Sequence, residues 1–528
     1  MSFLLVPHEV TSTTATVWVG AIDEDALSKS VSVEFSDGDD SSVIELDASE
    51  WKAWTSWEGP QARSSYPSWG WILAKIPPKI PPKARTLYYQ RVEIKSLTPR
   101  TSYSLKLSAN GQRVVGVEKY LREGRVTTLP VELPAEGEKP FTILLGSCFY
   151  GPNDPDGMVG ATYHYLPEDE RPDIKVLCGD QVYLDNPWRE TTFRWYYSYR
   201  AHGSFRALLF KKYEDNWTQV LGNDAGFRQL LKDGANYLSS DDHEYWNNAP
   251  SIGGVGFVNT FTRTQRDWWF EVATDLFQAF QSPKPLNFIK VGRLSVCIAD
   301  TRIHRDSKGT RFMKDEDLEA VEQWIDKLQG PGVLVIGQPV LARENSIRSF
   351  RDKGLLGGIK SFLEKGLLNS LKGLPSDIQA SLFDKDLPDY RWQYDKLMTR
   401  IKKSAHSIVV LTGDVHFGRI AYGALKPGSE SKFVEVISSP MRVVLTPTLA
   451  GLGLQDKPIF GDYVKPQTEI FSQLEDRKIA EHHDQFVTLE FSSAEGTKVN
   501  MKVKTWPILG PQDEVPPRPE EPFHIVLP

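Results

Sequence analysis

Several short apolar runs, each followed by polar residues, limit what this chain can fold into. They are rich in β-branched side chains, which is typical of strands buried on both faces. These runs are Phe141 to Leu145, Ile174 to Leu177, Leu294 to Ala299, Val333 to Ile336 and Ile408 to Leu411. Helix-like segments separate several of them, including residues 315 to 328 and 346 to 401. The alternation predicts an α/β layered fold.

The first 130 residues have a different pattern, with alternating apolar and polar positions and no helical periodicity. Residues 97 to 105 resemble the tyrosine-corner segment of fibronectin type III sandwiches. Residues 129 to 140, rich in proline and glutamate, interrupt the strand pattern as linkers do. The sequence therefore predicts a small β-sandwich domain over residues 1–135, followed by an α/β domain over residues 140–528.

Charge and cysteine content exclude some classes of partner and site. The chain has 62 basic and 69 acidic residues, a formal charge of -7, which argues against general binding of nucleic acid. Its three cysteines are too few for a disulfide framework and lack the CxxC spacing of zinc sites. The sequence as given has no leader pattern and no long apolar stretch, so we expect a cytoplasmic protein without a membrane span. Nothing in it fixes an oligomeric state.

The polar residues that follow the strands form a plausible set of metal ligands. In open α/β sheets, ligands bind beyond the carboxyl ends of the strands. A thiolate combined with a phenolate suits ferric iron, whereas carboxylate and amide oxygens select hard cations, so a mixed metal cluster is predicted. Asp180 follows Gly179 at a strand end and is well placed to bridge two ions. The segments are Gly146-Ser147-Cys148, Gly179-Asp180-Gln181-Val182-Tyr183, Ser240-Asp241-Asp242-His243-Glu244 with Asn247-Asn248, and Gly413-Asp414-Val415-His416.

These segments, together with Asp300-Thr301-Arg302, resemble the motifs of PhoD-like metallophosphatases, relatives of the calcineurin-type and purple acid phosphatases. The resemblance covers about residues 140 to 445 and keeps the order of the motifs. It implies a two-sheet αββα sandwich behind the N-terminal β domain. It further implies ferric iron and calcium as cofactors, with other divalent cations as the alternative. The implied iron ligands are Cys148, Asp180, Tyr183 and His416, and the implied calcium ligands are Asp180, Asn248 and Asp414.

One feature of the family is missing from this chain. The family commonly has an arginine between its cysteine and its Gly-Asp motif that grips the substrate phosphate, and here the only arginine in that interval is Arg171. Arg302 is one substitute, because a guanidinium can pair bidentately with phosphate. The alternative for Arg302 is a structural salt bridge to a neighbouring carboxylate. The segment Tyr163-His164-Tyr165 offers other donors.

The predicted function is metal-dependent hydrolysis of a small phosphoric ester, with Asp180, His243 and Arg302 as the catalytic candidates. His243 is either a general acid or a donor that orients metal ligands. A phosphodiesterase specialised for lipid or nucleotide diesters is the alternative among enzymes. A binding protein with an inactive metallophosphatase domain is the alternative from another class.

Overall fold

A computed structural model gives the arrangement of the chain. It describes residues 3–23, 26–56, 85–113, 123–186, 202–219, 225–251, 260, 263–341, 386–416, 418–426, 428–442, 475–479, 484–510, 512–513 and 517–528. Most of the segment predicted to be helical over residues 346 to 401 therefore lies outside the described residues.

The N-terminal region forms two antiparallel sheets. One sheet has the strand order β1-β2-β6-β5, and the other has the order β4-β3-β7-β8 with β9 also paired to β7. Apolar side chains that alternate along these strands form a common core. The strands are β1 (Phe3–Val10), β2 (Ala15–Ile22), β3 (Val31–Ser36), β4 (Ser41–Glu45), β5 (Lys52–Thr55), β6 (Thr86–Ile94), β7 (Ser102–Ala109), β8 (Gln112–Arg113) and β9 (Glu123–Thr127).

Two larger mixed sheets follow. The six-stranded sheet has the order β12-β11-β10-β20-β21-β22, and the seven-stranded sheet has the order β13-β14-β15-β16-β18-β17-β19. Strands β10, β11 and β12 are parallel, as are β14, β15, β16 and β18. The strands are β10 (Phe141–Gly146), β11 (Ile174–Cys178), β12 (Ala235–Ser239), β13 (Leu286–Val291), β14 (Leu294–Ala299), β15 (Gly332–Val335), β16 (Ile408–Thr412), β17 (Gly418–Ala424), β18 (Lys432–Ile437), β19 (Glu475–Ile479), β20 (Gln485–Ser493), β21 (Val499–Pro507) and β22 (Phe523–Leu527).

The period-two alternation of strand side chains explains how these sheets are layered. Ile143 and Val176 of the six-stranded sheet share one core with Val333 and Val409 of the seven-stranded sheet. The opposite faces pack against helices, α1 to α4 on the first sheet and α5 and α6 on the second. The layers are therefore helix, sheet, sheet and helix. The helices are α1 (Met158–His164), α2 (His202–Thr218), α3 (Phe227–Lys232), α4 (Arg263–Phe280), α5 (Asp315–Asp326) and α6 (Arg391–Lys403).

The α/β expectation is confirmed, and the five apolar runs are strands β10, β11, β14, β15 and β16. In the N-terminal region, the Tyr103 hydroxyl accepts a hydrogen bond from the Thr98 amide at 2.9 Å, which is the contact of a tyrosine corner. The fibronectin type III likeness and the domain boundary after residue 135 stay predictions. Among the described helices, none is long and apolar enough to span a membrane.

Candidate metal centre

The predicted ligands lie on loops at one edge of the two stacked sheets. Cys148 follows β10, Asp180 and Tyr183 follow β11, and Asp414 and His416 follow β16. Asn248 lies on the segment after β12. All of these strands run parallel to a neighbour, so their carboxyl ends meet at the same edge. Side chains that are far apart in the chain are thereby brought together.

Asp180 belongs to two groups of ligand atoms. Its carboxylate lies with the Cys148 sulfur and a His416 ring nitrogen, all within 4.8 Å of one another. It also lies with Asp242 and His243, again within 4.8 Å. A carboxylate has two oxygens and can contact two cations. The second group differs from the predicted calcium ligands, because Asp414 belongs to neither group, so the bridging role of Asp180 stays a prediction.

Cys148 is buried among hydrogen-bonding groups and negative charge. The hydroxyl of Ser439 lies 3.2 Å from its sulfur, and the sulfur lies 3.5 Å from Asp180 Oδ2 and 3.4 Å from the carbonyl oxygen of Asp414. Burial raises the pKa of the Cys148 thiol well above its usual range, and the carboxylates of Asp180 and Asp414 raise it further. A cation among these residues would reverse that effect and favour the thiolate.

Several groups of the site lack hydrogen bonds and therefore suit a metal. Within the described part of the chain, no hydrogen-bond partner is found for the phenolic oxygen of Tyr183 or for Asp242 Oδ1. The side-chain amide of Asn248 and the His416 ring likewise make no hydrogen bond to described residues, although the main-chain amides of both residues do. Buried polar atoms without partners are unfavourable unless a ligand or ion satisfies them. The donor set thus fits a metal cluster.

The backbone at the predicted ligands has an uncommon conformation. Nine described residues other than glycine have positive φ, and five of them are predicted ligands. Such conformations are unfavourable for side chains other than glycine, and they concentrate at functional sites. The five are Cys148 (φ 57°), Asp180 (φ 60°), Asn248 (φ 68°), Asp414 (φ 67°) and His416 (φ 56°).

Glu244 holds the loop that carries Asp180. Its Oε2 accepts hydrogen bonds from the amides of Asp180 (2.8 Å) and Asp241 (2.9 Å), and its Oε1 accepts from Gln181 (2.7 Å) and Val182 (3.2 Å). Sequence reasoning gave Glu244 no role of its own. Its place in Asp-Asp-His-Glu was the only sequence signal, because contacts from a side chain to distant amides leave no periodic pattern.

His243 lies beside these ligands and is oriented by Asp185. Its Nδ1 is 2.8 Å from Asp185 Oδ1, and its ring stacks on Tyr183 with centroids 4.1 Å apart. Burial alone would lower the pKa of His243, but the carboxylates of Asp185, Asp242 and Asp180 outweigh it and raise the pKa well above the ordinary value. The imidazolium form is therefore favoured in the metal-free site.

Two further residues, Asp242 and Gln338, contact the predicted ligands. Asp242 Oδ2 accepts a hydrogen bond from the Asn248 amide at 2.7 Å, so Asp242 both orients that segment and offers its other oxygen as a ligand. The Gln338 side chain, which follows β15, donates to Asp414 Oδ2 at 2.8 Å. Both contacts hold a predicted ligand in place.

Arg302 forms the structural salt bridge that the sequence left as one of two alternatives. Its side chain is fully buried and pairs with Asp241, with Nε donating to Asp241 Oδ1 at 2.6 Å. Its Nη1 donates to the carbonyl oxygen of Ala249 at 2.8 Å. Asp300 accepts from the amides of Arg302 and Ser240, which joins the ends of β14 and β12. The Arg302 guanidinium thus pairs with Asp241 and donates to Ala249 within the protein.

Two of the other proposed phosphate donors, Arg171 and Tyr163, lie away from the ligand cluster. Arg171 precedes β11 and donates to the carbonyl oxygen of His164 at 2.8 Å, at the strand end opposite to Asp180. Tyr163 is buried and faces Lys175, whose Nζ is 4.9 Å from the centre of the phenol ring. Asp233 raises the pKa of Tyr163 in addition to burial, and that residue precedes β12. The Tyr163 side chain therefore lies toward the amino-terminal ends of these strands.

Comparison with known proteins gives a likeness of fold. No protein-family model matches the sequence, and no curated protein sequence matches it. Among solved structures, the chain is similar to the purple acid phosphatase PPD1 from yellow lupin (Lupinus luteus) seeds, with a TM-score of 0.53 and 12% identity over 98% of this chain and 73% of that chain. The β-glucuronidase 2 of Bacteroides uniformis also aligns, over 99% of this chain and 60% of that chain, but its TM-score is 0.18 at 8% identity. At these identities only the fold of the phosphatase is informative.

Proposed function

We propose that this protein is a metal-dependent hydrolase of phosphoric esters, built on a fold similar to that of a purple acid phosphatase. The observation that supports this most directly is the position of Asp180, which belongs to two adjacent groups of ligand atoms. Hydrolysis of a phosphoric ester requires charge neutralisation, an activated water and a stabilised leaving group. When bound, a pair of metal ions supplies a Lewis acid for the phosphoryl oxygens and activates water.

The ligands that we propose are those implied by the resemblance to PhoD-like metallophosphatases. The proposed iron site comprises Cys148, Asp180, Tyr183 and His416, and the proposed calcium site comprises Asp180, Asn248 and Asp414. Asp242 is an additional candidate, because its Oδ1 has no described partner and it shares a ligand group with Asp180. The identity of the metals as ferric iron and calcium belongs to this proposal.

His243 is the residue that we propose as general acid. Asp185 holds its Nδ1 at 2.8 Å and thereby fixes the ring, while Tyr183 covers one face. A positioned imidazolium can give a proton to a leaving alkoxide, a contribution of about 10²–10⁴-fold to the rate. Arg302 is reassigned in this proposal from phosphate binding to positioning Asp241, because both residues are buried and paired.

Activity and metal content of Asp180→Ala test the hydrolase proposal. We expect it to lower metal content and to lose more activity than the roughly 10–100-fold that loss of an outer partner causes. Both a phosphomonoester and a phosphodiester are assayed, so that ester preference is measured in the same experiment. Asp215→Ala, which removes a carboxylate 56% exposed on α2, is the matched control and should change neither quantity. Wild-type turnover and full metal content in Asp180→Ala would contradict the proposal.

Visible spectroscopy tests the identity of the metal. A phenolate or thiolate bound to ferric iron gives a charge-transfer band, so Tyr183→Phe should remove or shift that band. Tyr150→Phe is the matched control, because the Tyr150 ring lies edge-on to Tyr183 at 5.5 Å and is not a predicted ligand. A colourless, fully active wild-type protein without iron would replace the mixed cluster with one made of divalent ions.

A further inference from the structure

A polar cavity lies at the edge of the six-stranded sheet opposite to the candidate metal centre. Its volume is about 220 Å³, below the roughly 300–1,000 Å³ of pockets for drug-sized ligands, so it suits a small ligand. Asp173, which lines it, immediately precedes β11, whereas Asp180 follows that strand. At about 3.3 Å per residue, the two carboxyl groups are on the order of 20 Å apart. The cavity is therefore separate from the candidate metal centre.

Basic side chains from three parts of the chain converge on this cavity. Arg100 comes from the turn before β7, Arg125 from β9, Lys139 from the connecting segment and Arg171 from the segment before β11. Arg100 is paired with Glu138 at 3.2 Å, and Lys139 Nζ donates to a main-chain oxygen at 3.2 Å. Four of the 13 residues that line the cavity are basic and two are acidic, so its net charge is positive, which favours an anionic ligand.

Two of the guanidinium groups have positive charge that the described residues do not neutralise closely. The nearest carboxylate to Arg125 is that of Glu168, at 4.0 Å, and the Glu168 side chain is 87% exposed. Arg171 donates only to the main-chain oxygens of His164 and Leu166 among the described residues. Guanidinium groups in this state can bind two oxygens of a tetrahedral anion.

Asp173 is the one acidic group that is half-buried in this wall. Its Oδ2 accepts a hydrogen bond from the Thr142 amide at 2.8 Å, and no described residue donates to its Oδ1. Burial raises the pKa of Asp173 to about 6, while the Thr142 amide, Lys139 and Arg100 oppose that rise. The group is therefore mainly a carboxylate at pH 8. A carboxylate here repels an anion unless that anion has a proton to donate to it.

We propose that this cavity is a binding site for orthophosphate in its hydrogenphosphate form. Arg125 and Arg171 donate to the unprotonated oxygens, and Asp173 accepts the hydrogen bond of the P–OH group. Sulfate has the same shape and charge but no proton at this pH, so it would place an acceptor against an acceptor. The site thus distinguishes two anions that a basic patch alone would bind alike. The proposal concerns a site apart from the metal centre, and it does not require the chain to hydrolyse phosphoric esters.

Equilibrium titration of the full-length protein with orthophosphate and with sulfate at pH 8 tests this proposal. The titration uses the Asp180→Ala variant, because that variant should bind no phosphate at the metal centre. If Asp180→Ala does not fold, wild-type protein treated with a chelator is used instead. We expect one orthophosphate per chain and binding of sulfate weaker by at least about tenfold, the effect of one unfavourable buried polar contact.

Three variants in that background assign the contacts. Arg125→Gln should weaken orthophosphate about tenfold or more, since the group it removes makes no hydrogen bond within the described chain. Asp173→Asn should bring sulfate and orthophosphate to similar affinity, because the amide can donate to either anion. Arg311→Gln removes an exposed arginine outside the cavity and should change nothing. Equal binding of sulfate and orthophosphate by the parent protein, or unchanged binding in Arg125→Gln, would overturn the proposal.

Discussion

Replacing Glu244 with glutamine should destabilise the protein although the two side chains have nearly the same shape. Each carboxylate oxygen of Glu244 accepts two amide hydrogen bonds, those of Asp180 and Asp241 on Oε2 and those of Gln181 and Val182 on Oε1. Glutamine has only one oxygen. In either orientation, its NH₂ group would face two buried N–H donors.

The expected magnitude follows from those two donors. A buried donor that loses its acceptor costs about 1–3 kcal/mol, so Glu244→Gln should lower the free energy of unfolding by about 2–6 kcal/mol. Burial raises the pKa of Glu244 to about 7 and the amide hydrogen bonds oppose that rise, so the measurement is made at pH 8, where the carboxylate is ionised. The same change loosens the loop that carries Asp180, and metal affinity should fall about 10–100-fold.

Urea unfolding of wild-type and variant proteins measures the first effect, and metal titration measures the second. Glu271→Gln is the matched control, because Glu271 is exposed on α4 and its replacement should stay within about 0.5 kcal/mol. A loss of less than about 0.5 kcal/mol in Glu244→Gln would refute the reasoning, since the four amides would then be satisfied in some other way.

Three other substitutions test separate parts of the structure. Lys175 is fully buried and its Nζ has no hydrogen-bond acceptor among the described residues, and burial lowers the pKa of its ammonium from 10.5 to about 7. Wild-type stability should therefore fall as pH decreases from about 10 to 7. In thermal unfolding at pH 7, Lys175→Met should be about 2–5 kcal/mol more stable than wild type, whereas the exposed control Lys52→Met should not differ from it. Equal stabilities of Lys175→Met and wild type would contradict this. Gln338→Ala should weaken metal binding about 10–100-fold and cost about 1–3 kcal/mol of stability, because the buried Arg305 Nη1 loses its acceptor; unchanged metal affinity would exclude the positioning role. Arg302→Ala should cost about 3–5 kcal/mol, because it leaves Asp241 buried without its cation; normal stability with reduced kcat/KM would instead restore Arg302 as a phosphate ligand.

The strand ends were the part of this protein that sequence could predict. Apolar, β-branched runs are determined locally, and the rule that ligands bind at the carboxyl ends of parallel strands then brings Cys148, Asp180 and His416 together. No comparable rule applies to partners chosen across the fold. The pairing of Arg302 with Asp241 depends on how the loops after two strands in different sheets face each other. Sequence therefore left both roles of Arg302 open.

The positions of Tyr163 and Glu244 show the same limit. Tyr163 lies between two motifs, so the sequence predicts it as a possible phosphate donor, yet its helix directs it toward Lys175 and the other end of β11. Glu244 accepts hydrogen bonds from amides more than 60 positions earlier in the chain, and hydrophobic periodicity does not predict such contacts. Local patterns predict elements, whereas the orientation of a polar side chain depends on the whole packed structure.

The left-handed backbone at the five predicted ligands implies a trade between robustness and activity. Glycine adopts positive φ readily, so replacing Asn248 by glycine would relieve roughly 1 kcal/mol of backbone strain while removing a predicted metal ligand. That relief is offset by the greater entropy of glycine in the unfolded chain, so the metal-free variant should unfold at about the same temperature as its parent while retaining metal less well. The same change at Asp414 would be costly, because the buried Gln338 side chain would lose its acceptor. Selection for stability alone would thus not preserve the proposed ligand at position 248.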